Sequence, residues 1–367
     1  MKRSRHKAKK RSRTSRYSHR SQRKLARYVR QTQRKKSKSR SRQTKRKTRR
    51  TLPSKAGVRQ RPNDDRRSGG AGTSRKNQPI SYLKTIRNIN VDLYDKAVQK
   101  EPYISYEEKK HLSLHLGQHK LFLTMLYFMV HYGHLSDTVV YPGAGSGGFN
   151  SFIISKMFPT HRFVLYDPEK FDKRLFSCSN IEIHQTLFTD EDVEEWRGKD
   201  ILFISDIRNP EVGKTENDVA MNEQIVSEDM MLQSEWVRQI RPAMSMLKFR
   251  LPWGEGITRY WDGKIMVQPY APLKSTETRL ITPGLQEREY DNMDYEERLA
   301  WHNQVRRNKR VYPTLPNVEP VWDAAAEVKI LYEYFTKVKK VIPTPGQLYY
   351  QMKKVSELLY QRNLHVK

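Results

Sequence analysis

The stretch "VVYPGAGSGGFNSFIIS", residues 139–155, most constrains how this chain can fold. An apolar run breaks into four glycines among small residues and resumes apolar at helical spacing. Only glycine lets the backbone turn sharply at a strand end and approach a ligand closely. The stretch therefore reads as strand, glycine turn and helix. "RFVLYD", "IEIHQ" and "DILFISDIR" read as further strands, separated by helical stretches, and "AMSMLKFR", "KIMVQPY" and "TRLITP" follow. Strands alternating with helices predict an α/β fold, a mostly parallel sheet with helices on both faces. "GQHKLFLTMLYFMVHYG" predicts a buried helix before the first strand, and "NDVAMNEQIVSEDMMLQSEWVRQI" a long amphipathic one. Residues 294–309 and 321–360 read as C-terminal helices around the Pro-rich "YPTLPNVEP" and "IPTPG". No internal repeat is present.

The charge is segregated. The chain of 367 residues has a net charge of +30, and residues 1–76 hold 32 of its 70 Lys and Arg against Asp64 and Asp65 alone. The remainder is balanced. A segment this poor in apolar residues cannot offset its ordering entropy, so residues 1–76 are predicted to be a disordered basic tail and linker suited to RNA phosphates. The longest apolar run, "LFLTMLYFMV", is too short to span a bilayer, and no membrane partner is expected. The single cysteine, Cys178, leaves no disulfide framework or cysteine zinc site and fits a reducing compartment.

"GAGSGG" fits G-x-G-x-x-G through Gly143, Gly145 and Gly148, and Asp167 ends the next strand 24 residues after Gly143. In a dinucleotide-binding unit that acid would hold a ribose diol. The same geometry serves S-adenosylmethionine, and these residues alone leave open both ligands and a turn that binds none. Four polar residues sit where burial should forbid them: Lys120 at the start of an apolar helix, Asp206 after "ILFIS", Lys248 after "AMSML" and Glu277 before "TRLIT". Singly, they also read as a snorkelling lysine, a turn cap and an ordinary ion pair. Together, at the carboxyl edge of the sheet, they suit attack by a ribose hydroxyl. A lysine can take the proton only if its pKa falls from about 10.4 toward roughly 7 to 8, about 4 kcal/mol of differential interaction. Burial and a second cation push that way, while a carboxylate orients the amine.

The segments "GQHKLFLTMLYF", "VVYPGAGSGG", "LFISDIR", "LKFRLPW", "KIMVQPYAP", "STETRL" and "YEERLAWHNQVRRN" resemble, in order over residues 115–310, the poxvirus cap-specific nucleoside 2′-O-methyltransferases. That family also serves as the small, regulatory subunit of the viral poly(A) polymerase. The resemblance implies a Rossmann-like S-adenosylmethionine-dependent methyltransferase domain, placed over 77–310; it leaves most of the C-terminal helices uncovered, and residues 311–367 are expected to be a helical extension packed on the same domain. By resemblance the family's K-D-K-E tetrad falls on Lys120, Asp206, Lys248 and Glu277. Lys248 would be the base, Lys120 would lower its pKa and hold substrate, and the acids would orient the amines. Gln118, Tyr141, Gly143, Gly147, Asp167 and Asp206 would hold S-adenosylmethionine, with Phe188 near the adenine. Trp253, Glu255 and Glu296 would form the pocket for the 7-methylguanine cap. The chain departs from the family where Lys274 replaces a second stacking aromatic, with Tyr270 near in sequence, and where Glu169 replaces an arginine.

The implied partners are m7G-capped mRNA and a viral poly(A) polymerase catalytic subunit, and no metal is implied. The implied setting is the virion and host cytoplasm, although the basic tail equally suits nuclear import. Two other readings stand beside this one. One is a non-catalytic RNA-binding subunit that promotes processive polyadenylation; the other, resting on the glycine motif alone, is an NAD-dependent dehydrogenase.

Overall fold

A computed structural model describes residues 80–102, 117–145, 149–209 and 219–364. The basic tail, Gly147 and Gly148 lie outside these residues. The chain runs through α1 (Ile80–Asn88), α2 (Gly117–Tyr132), β1 (Thr138–Pro142), α3 (Phe149–Met157), β2 (Arg162–Tyr166) and β3 (Ile181–His184). It continues through α4 (Asp190–Trp196), β4 (Leu202–Ser205), α5 (Val219–Ile240), β5 (Met244–Phe249), β6 (Ile257–Trp261) and β7 (Lys264–Met266). The last elements are β8 (Thr278–Thr282), β9 (Glu287–Asp291), α6 (Asn292–Trp301), α7 (Trp322–Glu333) and α8 (Pro345–Leu364).

Seven strands form one sheet in the order β3-β2-β1-β4-β5-β8-β7. The first five are parallel, while β8 runs antiparallel to both neighbours. From β1 the chain winds outward to β3, then returns to place β4 on the other side of β1. Right-handed crossovers in opposite directions put α3 on one face and α4 and α5 on the other. The gap between β1 and β4 is therefore the switch point of this Rossmann-like sheet, where ligands of such sheets bind.

Burial on both faces explains the apolar sequences. Val139 to Pro142, Phe163 to Tyr166 and all of β4 are buried, as expected for parallel strands covered on both sides. Helix α2 is buried all round from Phe122 to Val130, because α3 packs on it from one direction and α7 and α8 from others. Helix α4 starts at a capping box. Thr189 Oγ1 accepts from Asp192 N, and the Asp192 carboxylate accepts from Thr189 N at 2.7 Å. Residues 91–93 pair with β7, through Leu93 N to Ile265 O and Val267 N to Val91 O at 2.8 Å each, and so cover an otherwise open sheet edge.

Two strands were not legible in the sequence. β6 ("ITRYW") and β9 ("EREYD") pair antiparallel as a separate ribbon. Their charged, half-exposed residues carry little of the apolar signal that marks a core strand.

Candidate active site

The predicted catalytic side chains stand at the mouth of the switch point, Asp206, Lys248 and Glu277 beside strand termini and Lys120 on a helix. Asp206 follows β4 directly, and its N–H donates to Pro142 O at 3.1 Å. Lys248 lies near the carboxyl end of β5. β4 ends at Ser205, opposite Leu247, so Lys248 has no strand neighbour on that side. Gln233, buried on α5, supplies the missing partner: its amide donates to Lys248 O and accepts from Lys248 N, both at 3.1 Å. Because β8 is antiparallel, its first residues lie beside the last of β5. Lys248 faces Arg279 across the pair, and Glu277, two residues earlier, shares that face. Lys120 reaches in from the first turn of α2.

The four residues form one cluster. Lys120 Nζ donates to Glu277 Oε1 at 3.0 Å. Lys248 Nζ lies 3.5 Å from both Asp206 Oδ1 and Glu277 Oε2, and 3.4 Å from the Ile207 carbonyl. A fifth member was not anticipated: the Arg279 guanidinium, 2 % exposed, is 2.9 Å from Asp206 Oδ1 and 3.3 Å from Glu277 Oε1. Its one sequence signal is a charge inside "TRLIT", a strand otherwise free of charge and buried at every position. Such a charge must be paired.

Three buried or half-buried cations thus share two carboxylates, and the exposed Arg208 guanidinium also lies 3.5 Å from Glu277 Oε2. Burial pushes the Lys120 ammonium below its ordinary value; Arg279 adds to this, while Glu277 and Asp206 oppose it. Burial alone would raise the Glu277 carboxyl, but the charges of Lys248, Arg279 and Lys120 outweigh it and hold it well below the usual carboxylate range.

Asp229 on α5 is a second unanticipated residue. Its Oδ2 accepts from Asn209 N at 2.9 Å, holding the loop whose Ile207 carbonyl faces Lys248. Burial raises its carboxyl to about 6, against the opposing effect of the Asn209 N–H and Lys248. A raised carboxyl lends stability that is complete below its unfolded value of 3.8 and lost as pH rises through about 6. Asp229→Asn should therefore gain stability relative to the parent at pH 7 to 8, by at most about 3 kcal/mol, and lose the parent's stability change between pH 4 and 6. Urea unfolding at several pH values measures this; parallel curves for the two proteins would contradict it.

The glycine-turn side of the crevice is also formed. Gly143 has φ 74°, and a Cβ there would lie 2.6 Å from the Asp206 carbonyl carbon, so only glycine lets the two turns approach. Asp167 is buried, its carboxylate accepting from Gly145 N at 2.9 Å and Glu169 N at 2.8 Å. Burial raises its carboxyl, and those two N–H groups oppose the rise. Glu169 contributes its backbone here, a role independent of its side chain. Tyr141 is buried beside Asn150, its hydroxyl raised by burial and by Asp206. Gln118 Oε1 is buried with no hydrogen-bond partner among the described residues. Phe188 packs edge-to-face on Tyr166 and Trp236, with ring centroids 4.9 and 5.0 Å apart. The glycine turn, the Asp167 carboxylate and the orphaned Gln118 oxygen fit the adenosine and amino-acid ends of S-adenosylmethionine.

Across β5 lies the loop of the predicted cap pocket. Trp253 is 37 % exposed, with the Arg250 guanidinium 5.5 Å from its ring centroid. Glu223 of α5 pairs with Arg250 and accepts from Trp253 N at 3.3 Å, while Glu296 of α6 accepts from Gly254 N at 3.2 Å. Trp253 and Glu296 are thus brought together, and Glu255 is exposed on the same loop. Lys274 is exposed. Tyr270 is committed elsewhere: its hydroxyl donates to Glu327 at 2.9 Å, and its ring lies 4.8 Å from that of His119.

A family model described as "Poly A polymerase regulatory subunit" matches residues 75–365. The chain belongs to that family. The match takes in the cluster, the glycine turn and both C-terminal helices. Among curated relatives, the myxoma virus (strain Lausanne) "Cap-specific mRNA (nucleoside-2'-O-)-methyltransferase" is 29 % identical over 256 residues, 63 % of this chain and 72 % of that one. The fowlpox virus (strain NVSL) protein of the same description is 30 % identical over 187 residues, 45 % of this chain and 57 % of that one. A solved structure of bluetongue virus VP4, described as "a multifunctional RNA-capping production-line", aligns at TM-score 0.37 and 16 % identity, over 66 % of this chain and 40 % of that one.

Proposed function

We propose that this protein transfers a methyl group from S-adenosylmethionine to the 2′-hydroxyl of the first transcribed nucleotide of m7G-capped mRNA. The observation that carries the reading is the cluster of Lys120, Lys248, Asp206, Glu277 and Arg279 at the mouth of the same crevice that holds Asp167. The two viral relatives named as cap-specific 2′-O-methyltransferases support it. S-adenosylmethionine supplies an electrophilic methyl when bound. Asp167 would accept from its ribose hydroxyls, the turn at Gly143 and Gly145 would leave room for its backbone-side contacts, and Gln118 and Tyr141 would line its other end. Gly147 belongs to the same proposed turn.

Lys248 is the base of this reading. Its backbone is fixed by Gln233 and its amine lies within 3.5 Å of Asp206, Glu277 and the Ile207 carbonyl, so the nitrogen has a defined position. It receives the proton that the 2′-hydroxyl loses as the methyl is transferred, while Asp206 and Glu277 hold the amine in place. A hydride-transfer enzyme has no comparable use for these amines. The sheet also departs from the all-parallel dinucleotide order in its antiparallel β8.

A 7-methylguanine is cationic and presents N–H donors, so Trp253 with Glu255 and Glu296 should prefer it to plain guanine. With Tyr270 held by Glu327 and His119, discrimination should rest on Trp253, where one stacked face contributes about 1 to 3 kcal/mol. The test is methylation of otherwise identical RNAs bearing methylated or unmethylated caps. The parent should prefer the methylated cap, and Trp253→Ala should lose most of that preference. No methylation of either RNA would overturn the function; a mutant that keeps full preference would overturn the pocket. The family's description as a regulatory subunit of poly(A) polymerase supports a second role, stimulation of a polymerase catalytic subunit, alongside the first.

A further inference from the structure

The C-terminal helices present a surface that the proposed reaction does not use. The chain leaves the α7 segment at Lys340, whose φ of 57° turns it out of the helix. It then runs through Val341 and Ile342, 50 % and 82 % exposed, before α8 begins. On the outer side of α8, Tyr349 and Tyr350 are 40 % and 66 % exposed. Lys353 and Lys354 follow three to five residues on, one turn along the same side, and both are exposed. Leu348, Val355 and Leu359 face the core, which accounts for the apolar residues α8 needs to pack and leaves the tyrosines outside that need.

Residues 337–357 hold five lysines against a single acid, Glu357. Lys337 pairs with Glu333 at 3.8 Å and Lys353 with Glu357 at 3.8 Å. Lys339, Lys340 and Lys354 pair with no carboxylate among the described residues. A protein partner covering this patch would have to strip water from those three ammonium groups, and lysine is depleted from protein interfaces for that reason. A polyanion has the opposite preference. Exposed aromatic faces between unpaired lysines are the arrangement that single-stranded nucleic acid recognises, with bases stacking on rings and phosphates meeting amines. A duplex keeps its base faces covered and would gain only the charge.

We infer that the Lys339–Ile342 turn and the Tyr349, Tyr350 and Lys354 side of α8 form a binding surface for single-stranded RNA, separate from the methyl-transfer crevice. The surface takes RNA by backbone charge and base stacking, without reading sequence.

The test uses the full chain with an uncapped single-stranded RNA carrying 4-thiouridine, and no methyl donor, so that failure of the proposed reaction leaves the result unaffected. Ultraviolet crosslinking and peptide mapping should place crosslinks within residues 339–354. Tyr349→Ala with Tyr350→Ala should lower that yield at least fivefold. Lys339→Ala with Lys340→Ala and Lys354→Ala should reduce the slope of log affinity against log salt by about 2, at about 0.7 per phosphate contact. All these side chains are exposed, so the variants should fold. Crosslinks confined to other regions, or an unchanged slope, would overturn the proposal. So would a parent protein that self-associates in sedimentation and a Tyr350→Ser variant that does not, because the surface would then join two copies of the chain.

Discussion

Lys248→Ala should abolish methyl transfer to capped RNA while leaving S-adenosylmethionine affinity within a few-fold of the parent. Removal of a general base costs about 10² to 10⁴ in rate. The amine sits with Asp206, Glu277 and the Ile207 carbonyl, whereas the groups assigned to the cofactor are anchored on Gly143, Gly145 and Asp167. Lys248→Arg should be equally inactive, because a guanidinium keeps its charge and cannot accept the proton. Single-turnover methylation with isothermal binding of S-adenosylmethionine separates the two effects. An arginine variant with parental activity would show that position 248 steers the substrate by charge alone and would remove it as the base.

The second large effect is on stability. Arg279 is almost fully buried between Asp206 and Glu277, and its guanidinium retains its proton because those carboxylates outweigh its burial. Arg279→Met has similar length and apolar packing but leaves the carboxylates without their buried cation. Breaking a buried pair in this way costs about 3 to 5 kcal/mol. For a folded region of this size that corresponds to a fall of about 10 °C in Tm. Arg279→Lys should recover part of the loss, since a point charge replaces the fork that spans both acids. Thermal and urea unfolding of the three proteins decide the matter; a methionine variant within about 1 kcal/mol of the parent would show that Lys120 and Lys248 neutralise the acids by themselves.

Much of the sheet was legible because its signals are local. β-branched and aromatic residues ending in a glycine turn mark β1, and the apolar runs of β2, β4, β5 and β8 record burial on both faces. Their sequence alternation with helices gives a parallel sheet, and the crossover rule then gives the switch point. The cluster was legible for a related reason. Lys120, Asp206, Lys248 and Glu277 each interrupt or close an apolar element, and a charge at such a place needs a partner.

Tertiary pairing decided the rest. Nothing within "TRLIT" says that its strand runs antiparallel to β5, yet that direction alone brings Glu277 and Arg279 to the end of the strand carrying Lys248. Arg279 was passed over because a single arginine reads as an exposed strand residue until its neighbours are known. Asp229 and Gln233 looked like the polar side of an amphipathic helix. Gln233 is buried and Asp229 half-buried instead, because α5 lies against the ends of β4 and β5, where backbone groups lack strand partners. Composition and periodicity determined which residues go inside and which segments become strands or helices, since those depend on near neighbours in the chain. Which buried charges meet depends on strand order and direction, and these are set by the packing of the whole sheet.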